Sequence, residues 1–412
     1  MRTRITLTLA LILIGAMSPA LAQHRGGDVF SEPEIEMRTE DTTVTIPFKL
    51  INNHLIIPVS VGGRTFDVIL DTGMPISAVL LYDTDRLEAL DLNFSPMQVG
   101  VAGAGGGEPV AARLVQGETV DLGEVRLSNT TMLVMPPMSG MTMYHEGIIG
   151  AAVFENFVVG IDYDNRKLHL HDPATFKAAN GVAEVPLSFH GPRRVPYVGL
   201  EVETAGGERV DVEVVVDLGA GHTLSLNTDT IEQFVAPQKT ISSTLGHGVS
   251  GAVRGRVGRI AGFELGGFTF EEVIAMFPGD DHQHPGGMDS KNGNLGSGIL
   301  KRFNVTFDYA NKRMLLEPNK SFAAPFEWDM SGMRLKPAEE GLQIYDLVDG
   351  SPADAAGLAV DDVVTHVNGK PATSGNMFEL RALMKQNGSK MTIRALREGK
   401  QVEVKLELRR LV

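Results

Sequence analysis

Along most of this chain apolar and polar positions alternate with a period of two, the pattern of strands that bury one face. Leu55–Val61, the turn Gly62–Gly63–Arg64 and Thr65–Leu70 read as a hairpin, and Val210, Val212, Val214 and Val216 alternate strictly. Further strands are expected at Leu114–Val120, Val125–Leu127 and Thr131–Val134, and a hairpin from Val158–Tyr163 to Lys167–Leu170. Helical periodicity is rare. Asp83–Leu90 reads as a short helix capped by Asp83 or Thr84, and Asn376–Gln386 as an amphipathic one with Phe378, Leu380, Leu383 and Met384 on its apolar face. The chain is therefore expected to be mostly β.

Two strands break the alternation. Val68–Ile69–Leu70 and Val214–Val215–Val216 are continuous apolar runs, as in strands buried on both faces. They end in Asp71–Thr72–Gly73 and Asp217–Leu218–Gly219. A lone buried carboxylate is costly, and two that face each other are costlier unless they share a proton. The tripeptide carries little weight in a chain with 46 glycines, but its spacing carries more. Asp71 and Asp217 lie 146 positions apart, and the same offset relates Gly100 to Gly246, Gly150 to Gly296, and Ile161–Lys167 to Phe307–Arg313. The agreement points to an internal duplication in which each copy contributes one Asp to a shared acid–base site.

Composition sets the frame. A length of 412 residues suggests two or three domains, and 43% hydrophobic with 21% charged residues is ordinary for a globular protein. Arg2 and Arg4, the apolar stretch Ile5–Met17 and Ala20–Leu21–Ala22 form a secretory signal peptide, residues 1–22. The chain has no cysteine, which with export fits a bacterial periplasm or surface. Losing the two arginines takes the net charge from −14 to −16, a poor surface for nucleic acid. Residues 23–41 read as a mobile lead-in, 42–178 and 179–320 as the two copies, and 326–412 as a separate small α+β module. The glycine-rich stretch from Gly100 to Gly107 lacks the strand, helix and Lys of a phosphate loop and reads as a hairpin tip. His282 and His284 in the Asp280–Pro285 loop lack further ligands at metal spacing, so no metal is expected there.

These motifs resemble those of the pepsin/retropepsin superfamily of aspartic proteases. Asp71–Thr72–Gly73 is similar to that family's catalytic turn, Ile148–Ile149–Gly150 to the element that buttresses it, and the glycine-rich stretches to its flaps. The resemblance implies two retropepsin-like β lobes in tandem. Asp71 and Asp217 would be the catalytic dyad, with Thr72, Gly73 and Gly219 supporting the loops and Gly103, Gly105, Gly248 and Gly251 in the flaps. It further implies peptide-bond hydrolysis by an activated water with no cofactor, in a cleft for an extended peptide. Residues 326–412 resemble a PDZ domain of the circularly permuted bacterial type, on the strings Gly350–Leu358 and Asp362–Gly369. Ser331, Gly332 and Met333 would then offer backbone N–H groups to a peptide C-terminus, unless the module only packs on the lobes.

The second motif departs from the family. Leu218 stands where a Thr or Ser hydroxyl usually locks the two catalytic loops together, so the lock would be half-made. Met74 and Pro75 replace the small residues that commonly follow the first motif, and no Tyr lies in either glycine-rich stretch. His222 either tunes the dyad or caps a turn. Two functions stay open: an exported aspartic endopeptidase whose PDZ module captures peptides, and a peptide-binding scaffold that keeps the cleft without turnover. One chain holding both lobes makes a monomer sufficient for the dyad.

Overall fold

The structure, a computed structural model, describes residues 30, 32–137, 144–190, 195–232, 234–279 and 292–412. The signal peptide and the Asp280–Pro285 loop lie outside the described residues, as do residues 23–29 and 31 of the lead-in.

The alternating segments form strands of three sheets that share one apolar core. A nine-stranded sheet is built from residues 34–149 and an eight-stranded sheet from residues 188–296. Between them runs a six-stranded sheet that takes Thr43–Pro47, Val158–Asp162 and Lys167–His171 from the first half, and Ala183–Pro186, Phe303–Asp308 and Arg313–Pro318 from the second. Its central pair is antiparallel, Val159 opposite Phe307, Gly160 opposite Thr306 and Ile161 opposite Val305. Gly160 and Thr306 are themselves 146 positions apart, so the pseudo-two-fold relating the copies passes between them. The aromatic rings of Phe154, Phe307 and Tyr309 pack on one another beside this seam.

The catalytic-type strands obey the same offset. Arg64–Leu70 pairs in parallel with Gly147–Ile149, Leu70 opposite Ile149. Arg209–Asp217 pairs in parallel with Gly293–Gly296, Val216 opposite Leu295. Val68, Leu70, Val214 and Val216 are fully buried, as continuous apolar runs require.

Three sequence expectations need correction. Glu34–Met37, placed in a mobile lead-in, is an edge strand on Val125–Ser128, because Ile35 and Met37 alternate inward onto the core. The helix at Asp83–Leu90 shrinks to Asp85–Glu88 with Thr84 at its N-cap, and Asp83 instead binds Arg113 at 2.7 Å. The C-terminal helix covers Met377–Leu383, shorter than Asn376–Gln386. Met377, Leu380 and Met384 form its buried face, spaced i, i+3 and i+7, which rotates Leu383 to solvent.

Residues from Met333 onward fold around a second core. Its sheet runs in the order Met333–Ala338, Gly341–Leu347, Val363–Val367, Lys390–Arg397, Lys400–Glu407, so Met333–Ala338 is an edge strand. Ser351 caps the turn Pro352–Ala355, accepting the Asp354 N–H at 3.3 Å.

Candidate active site

Asp71 and Asp217 end the two buried strands, and the fold brings them face to face within hydrogen-bond reach. The glycines of the two turns make this possible reciprocally. A Cβ on Gly219 would run into the Asp71 carboxylate, and a Cβ on Gly73 would stand 3.0 Å from Asp217 Oδ1. The N–H groups of Gly73 and Gly219 both reach Asp71, that of Gly73 at 2.6 Å. Burial first, and then the facing Asp217 carboxylate, hold the Asp71 proton on well above the ordinary carboxylate range. Asp217 Oδ1 is buried and, among the described residues, meets no donor apart from a proton on the facing acid.

Thr72 makes its half of the expected lock. Its hydroxyl donates to the Val216 carbonyl at 2.6 Å and accepts the Leu218 N–H at 2.9 Å, so one side chain ties both flanks of the opposite Asp. Leu218 points into the core and is fully buried. Ser297 Oγ donates to the Leu218 carbonyl at 2.8 Å, and Asn294 Nδ2 donates to Asp217 Oδ2 at 2.6 Å. The His222 ring hydrogen-bonds Asn294, and the Gly298 N–H bonds the His222 carbonyl, so His222 both braces the turn and reaches the dyad through Asn294.

A group of rings borders Asp217. His54 is buried, interacts with the Gly219 backbone and with Asp217, and accepts or donates a hydrogen bond with the Tyr144 hydroxyl at 3.0 Å. Burial pulls His54 and the neighbouring His145 down to about 4, and lowers His222 as well, which favours their neutral forms.

The glycine-rich stretches are the tips of two long hairpins, Phe94–Val101 with Val110–Leu122 and Thr240–Gly248 with Gly251–Leu265. The tips meet. Gly107 donates its N–H to the Ser250 carbonyl at 2.7 Å, Ser250 donates to the Ala104 carbonyl at 3.1 Å, and Gly103 donates to Ser250 Oγ at 3.2 Å. A side chain on Gly103, Gly105 or Gly248 would strike the opposing tip, whereas Gly251, with φ +109, only turns its own hairpin. Val249 rests on a cluster that includes Met74 and Val101.

Two segments of the chain are similar to known families. Residues 57–153 match the aspartyl protease family model and residues 331–408 that of the PDZ domain. The chain joins an aspartyl-protease-like domain to a C-terminal PDZ domain. The family match contains Asp71 and ends before Asp217. The periplasmic serine endoprotease DegP of Escherichia coli strain K12 is 39% identical over 71 residues, 17% of this chain and 15% of that protein. A probable periplasmic serine endoprotease, DegP-like, of Chlamydia pneumoniae is 38% identical over 64 residues, 16% of this chain and 13% of that protein. This chain therefore spans only a small part of the length of either relative. Among solved structures, an aspartic proteinase from Irpex lacteus is similar with a TM-score of 0.43 and 15% identity, over 68% of this chain and 99% of that one.

The PDZ domain corrects one expectation. The N–H groups of Ser331 and Gly332 are not free for a peptide carboxylate, because Asp329 Oδ1 accepts them at 2.9 and 3.1 Å and also takes the Ser331 hydroxyl at 2.6 Å. The Met333 N–H goes to Ser331 Oγ at 3.1 Å. An aspartate two residues before the loop already supplies the negative charge that the loop was expected to bind. The domain also grips the second flap. Arg334 is buried on the Trp328 ring and donates to the Thr244 carbonyl at 2.7 Å and to Ser243 Oγ at 3.1 Å, while Asp346 accepts the Thr244 N–H at 2.7 Å. Arg334 and Asp346 are cross-strand partners, so one pair holds both backbone groups of Thr244. Phe378 packs edge-on against Tyr144 at 5.2 Å.

His54, Tyr144, His145, Asn294 and Ser297 escaped the sequence reading. The offset of 146 would have exposed Asn294 and Ser297, which stand opposite Ile148 and Ala151. Nothing in the sequence marks His54, which reaches the site only through folding.

Proposed function

We propose that this protein is an exported aspartic endopeptidase that cleaves peptide bonds with Asp71, Asp217 and a water. The reciprocal packing of each carboxylate against the other turn's glycine carries the reading. In the reaction Asp217 takes a proton from the water as its oxygen attacks the scissile carbonyl carbon, and Asp71 gives its proton to the carbonyl oxygen. As the diol collapses, the proton on Asp217 passes to the amide nitrogen, one diol hydroxyl returns its proton to Asp71 as its oxygen reforms the carbonyl, and the C–N bond breaks, leaving Asp71 protonated and Asp217 ionised as at the start. The paired flaps supply a roof for an extended peptide, and the PDZ edge strand Met333–Ala338 a place for a peptide to add as a further strand. Because Asp329 fills the carboxylate loop, an internal segment suits that edge better than a free C-terminus. Export is supported by the signal-like first 22 residues and by the periplasmic names of the DegP relatives.

The test is cleavage of an unfolded protein substrate across acid to neutral pH by wild type, Asp71→Asn and Asp217→Asn. Wild type is expected to cleave, and each variant to lose at least about a thousandfold in kcat/KM. Cleavage that survives in both variants removes the dyad from the mechanism. The competing reading, a scaffold without turnover, draws on Leu218. It predicts a peptide bound and recovered intact, with a transition-state analogue held no tighter than a plain peptide.

A further inference from the structure

The two lobes are copies, so the positions where the copy fails beside the dyad are informative. Such positions at an offset of 146 include Thr72 against Leu218, Ile148 against Asn294, Ala151 against Ser297, and Ile76 against His222. The surrounding ladder is preserved, since Ala151 donates its N–H to the Met74 carbonyl and Ser297 donates its N–H to the equivalent Ala220 carbonyl. In the first lobe the polar group sits inside the catalytic turn, on Thr72. In the second lobe it has moved to the segment behind the turn. We infer that Asn294 and Ser297 are positioning residues for Asp217, replacing the hydroxyl that Leu218 lacks, and that Asn294 makes Asp217 the ionised member of the dyad.

The geometry gives each residue a separate task. Ser297 Oγ fixes the Leu218 carbonyl, and therefore the peptide that follows Asp217, at 2.8 Å. Asn294 Nδ2 meets Asp217 Oδ2 directly at 2.6 Å, and an amide N–H there favours the anion. Asp71 has Ile148 in the matching place and takes its donors from the Gly73 and Gly219 backbone, which burial and the facing Asp217 outweigh. Among the described residues Asn294 Oδ1 and His222 Nε2 are buried with no hydrogen-bond partner, and the His222 ring lies close enough to Asn294 to interact with it. The titratable groups that act on Asp217 or feel its charge are Asp71, His54, His222 and Tyr309. Burial lowers both imidazoles and raises the phenol, so among these groups the competing charge on Asp217 is chiefly that of Asp71.

The inference rests on the dyad reading, and the experiment separates the two. Asn294→Leu keeps the volume and removes the donor, and Ser297→Ala restores the residue of the first lobe. The first readout is the pH profile of kcat/KM. Asn294→Leu is expected to move the acid limb to higher pH and to lower kcat about tenfold or more with KM little changed. Ser297→Ala is expected to lower kcat without moving the limb. The second readout needs no turnover: carboxyl ¹³C NMR titration of Asp217 in the Asp71→Asn protein with and without Asn294→Leu. The acid dissociation constant of Asp217 is expected to fall about tenfold when the donor is removed. Superimposable profiles and unchanged titration, in folded variants, overturn the inference and leave the dyad standing. A wild type that cleaves nothing overturns the dyad, while the titration still decides what Asn294 does to Asp217.

Discussion

Thr72 and Leu218 hold matching positions and do opposite work, one bridging the lobes by two hydrogen bonds and the other filling core. Thr72→Val keeps the shape and strands the Val216 carbonyl and the Leu218 N–H. It is expected to cost about 2–4 kcal/mol in urea unfolding, since each buried group loses a partner, while Thr72→Ser is expected to stay near wild type. The titratable residues set a pH window for stability. Asp71 has a raised pKa in the folded chain, so the stability linked to its proton is present below its ordinary value of 3.8 and drains away as pH climbs into the raised range. His54 and His145 have lowered values, about 4 against 6.5, so their contribution is intact above 6.5 and is lost as pH falls toward 4. Unfolding measured across pH is expected to show Asp71→Asn more stable than wild type at neutral pH, with the gap closing toward pH 4. In the same series His54→Asn is expected to flatten the loss below pH 6.5.

The two flap hairpins are long, and their tips are held by backbone bonds that only bare glycine permits. A side chain at position 248 would collide with the Ala104 carbonyl. Gly248→Val is therefore expected to part the tips while leaving the strands below intact, because Gly248 belongs to the last ladder pair of its hairpin, opposite Gly251. Hydrogen exchange at the Gly107 and Ser250 amides is expected to accelerate at least about tenfold, with kcat/KM falling and the unfolding midpoint unchanged. Unaltered exchange at both amides would mean that the tips do not depend on each other. The PDZ carboxylate loop is set by an equally local device, the Asp329 side chain on Ser331 and Gly332. The composition of the loop is compatible with peptide capture, and one neighbouring acid changes what it offers.

In the whole molecule the PDZ domain is not a loose tail. Val412 packs with Val257, Ile274 and Met276 of the second lobe, and Phe326 and Trp328 pack against the same group. Deleting residues 326–412 would bare that surface, so the truncated protein is expected to be less stable and more prone to aggregate, not simply relieved of a binding module. Arg334→Ala is the cleaner probe of communication. The domain touches a flap strand through Arg334 and Asp346, and the surroundings of Asp217 through Phe378, Tyr144 and His54. Arg334→Ala is expected to speed hydrogen exchange at the Thr244 amide about tenfold or more while the core around Leu342 and Ile393 stays protected. Unchanged exchange at Thr244 would show that the contact does not restrain the flap.

The alternating and continuous apolar runs, the offset of 146 and the two Asp–x–Gly turns determined the β architecture, the duplication and the candidate acids. These are local patterns, and burial of one strand face or both writes itself into the order of residues. What the tertiary structure decided was everything that depends on distant chain segments meeting. It put Asn294 and Ser297 behind the motif that lacks a hydroxyl, placed His54 beside Asp217, and closed one flap tip on the other. It also gave Glu34–Met37 a partner strand and set the PDZ domain's Arg334 on Thr244. Side chains of these kinds are ordinary on any β protein, and they acquire chemical meaning only from the neighbours that the fold supplies.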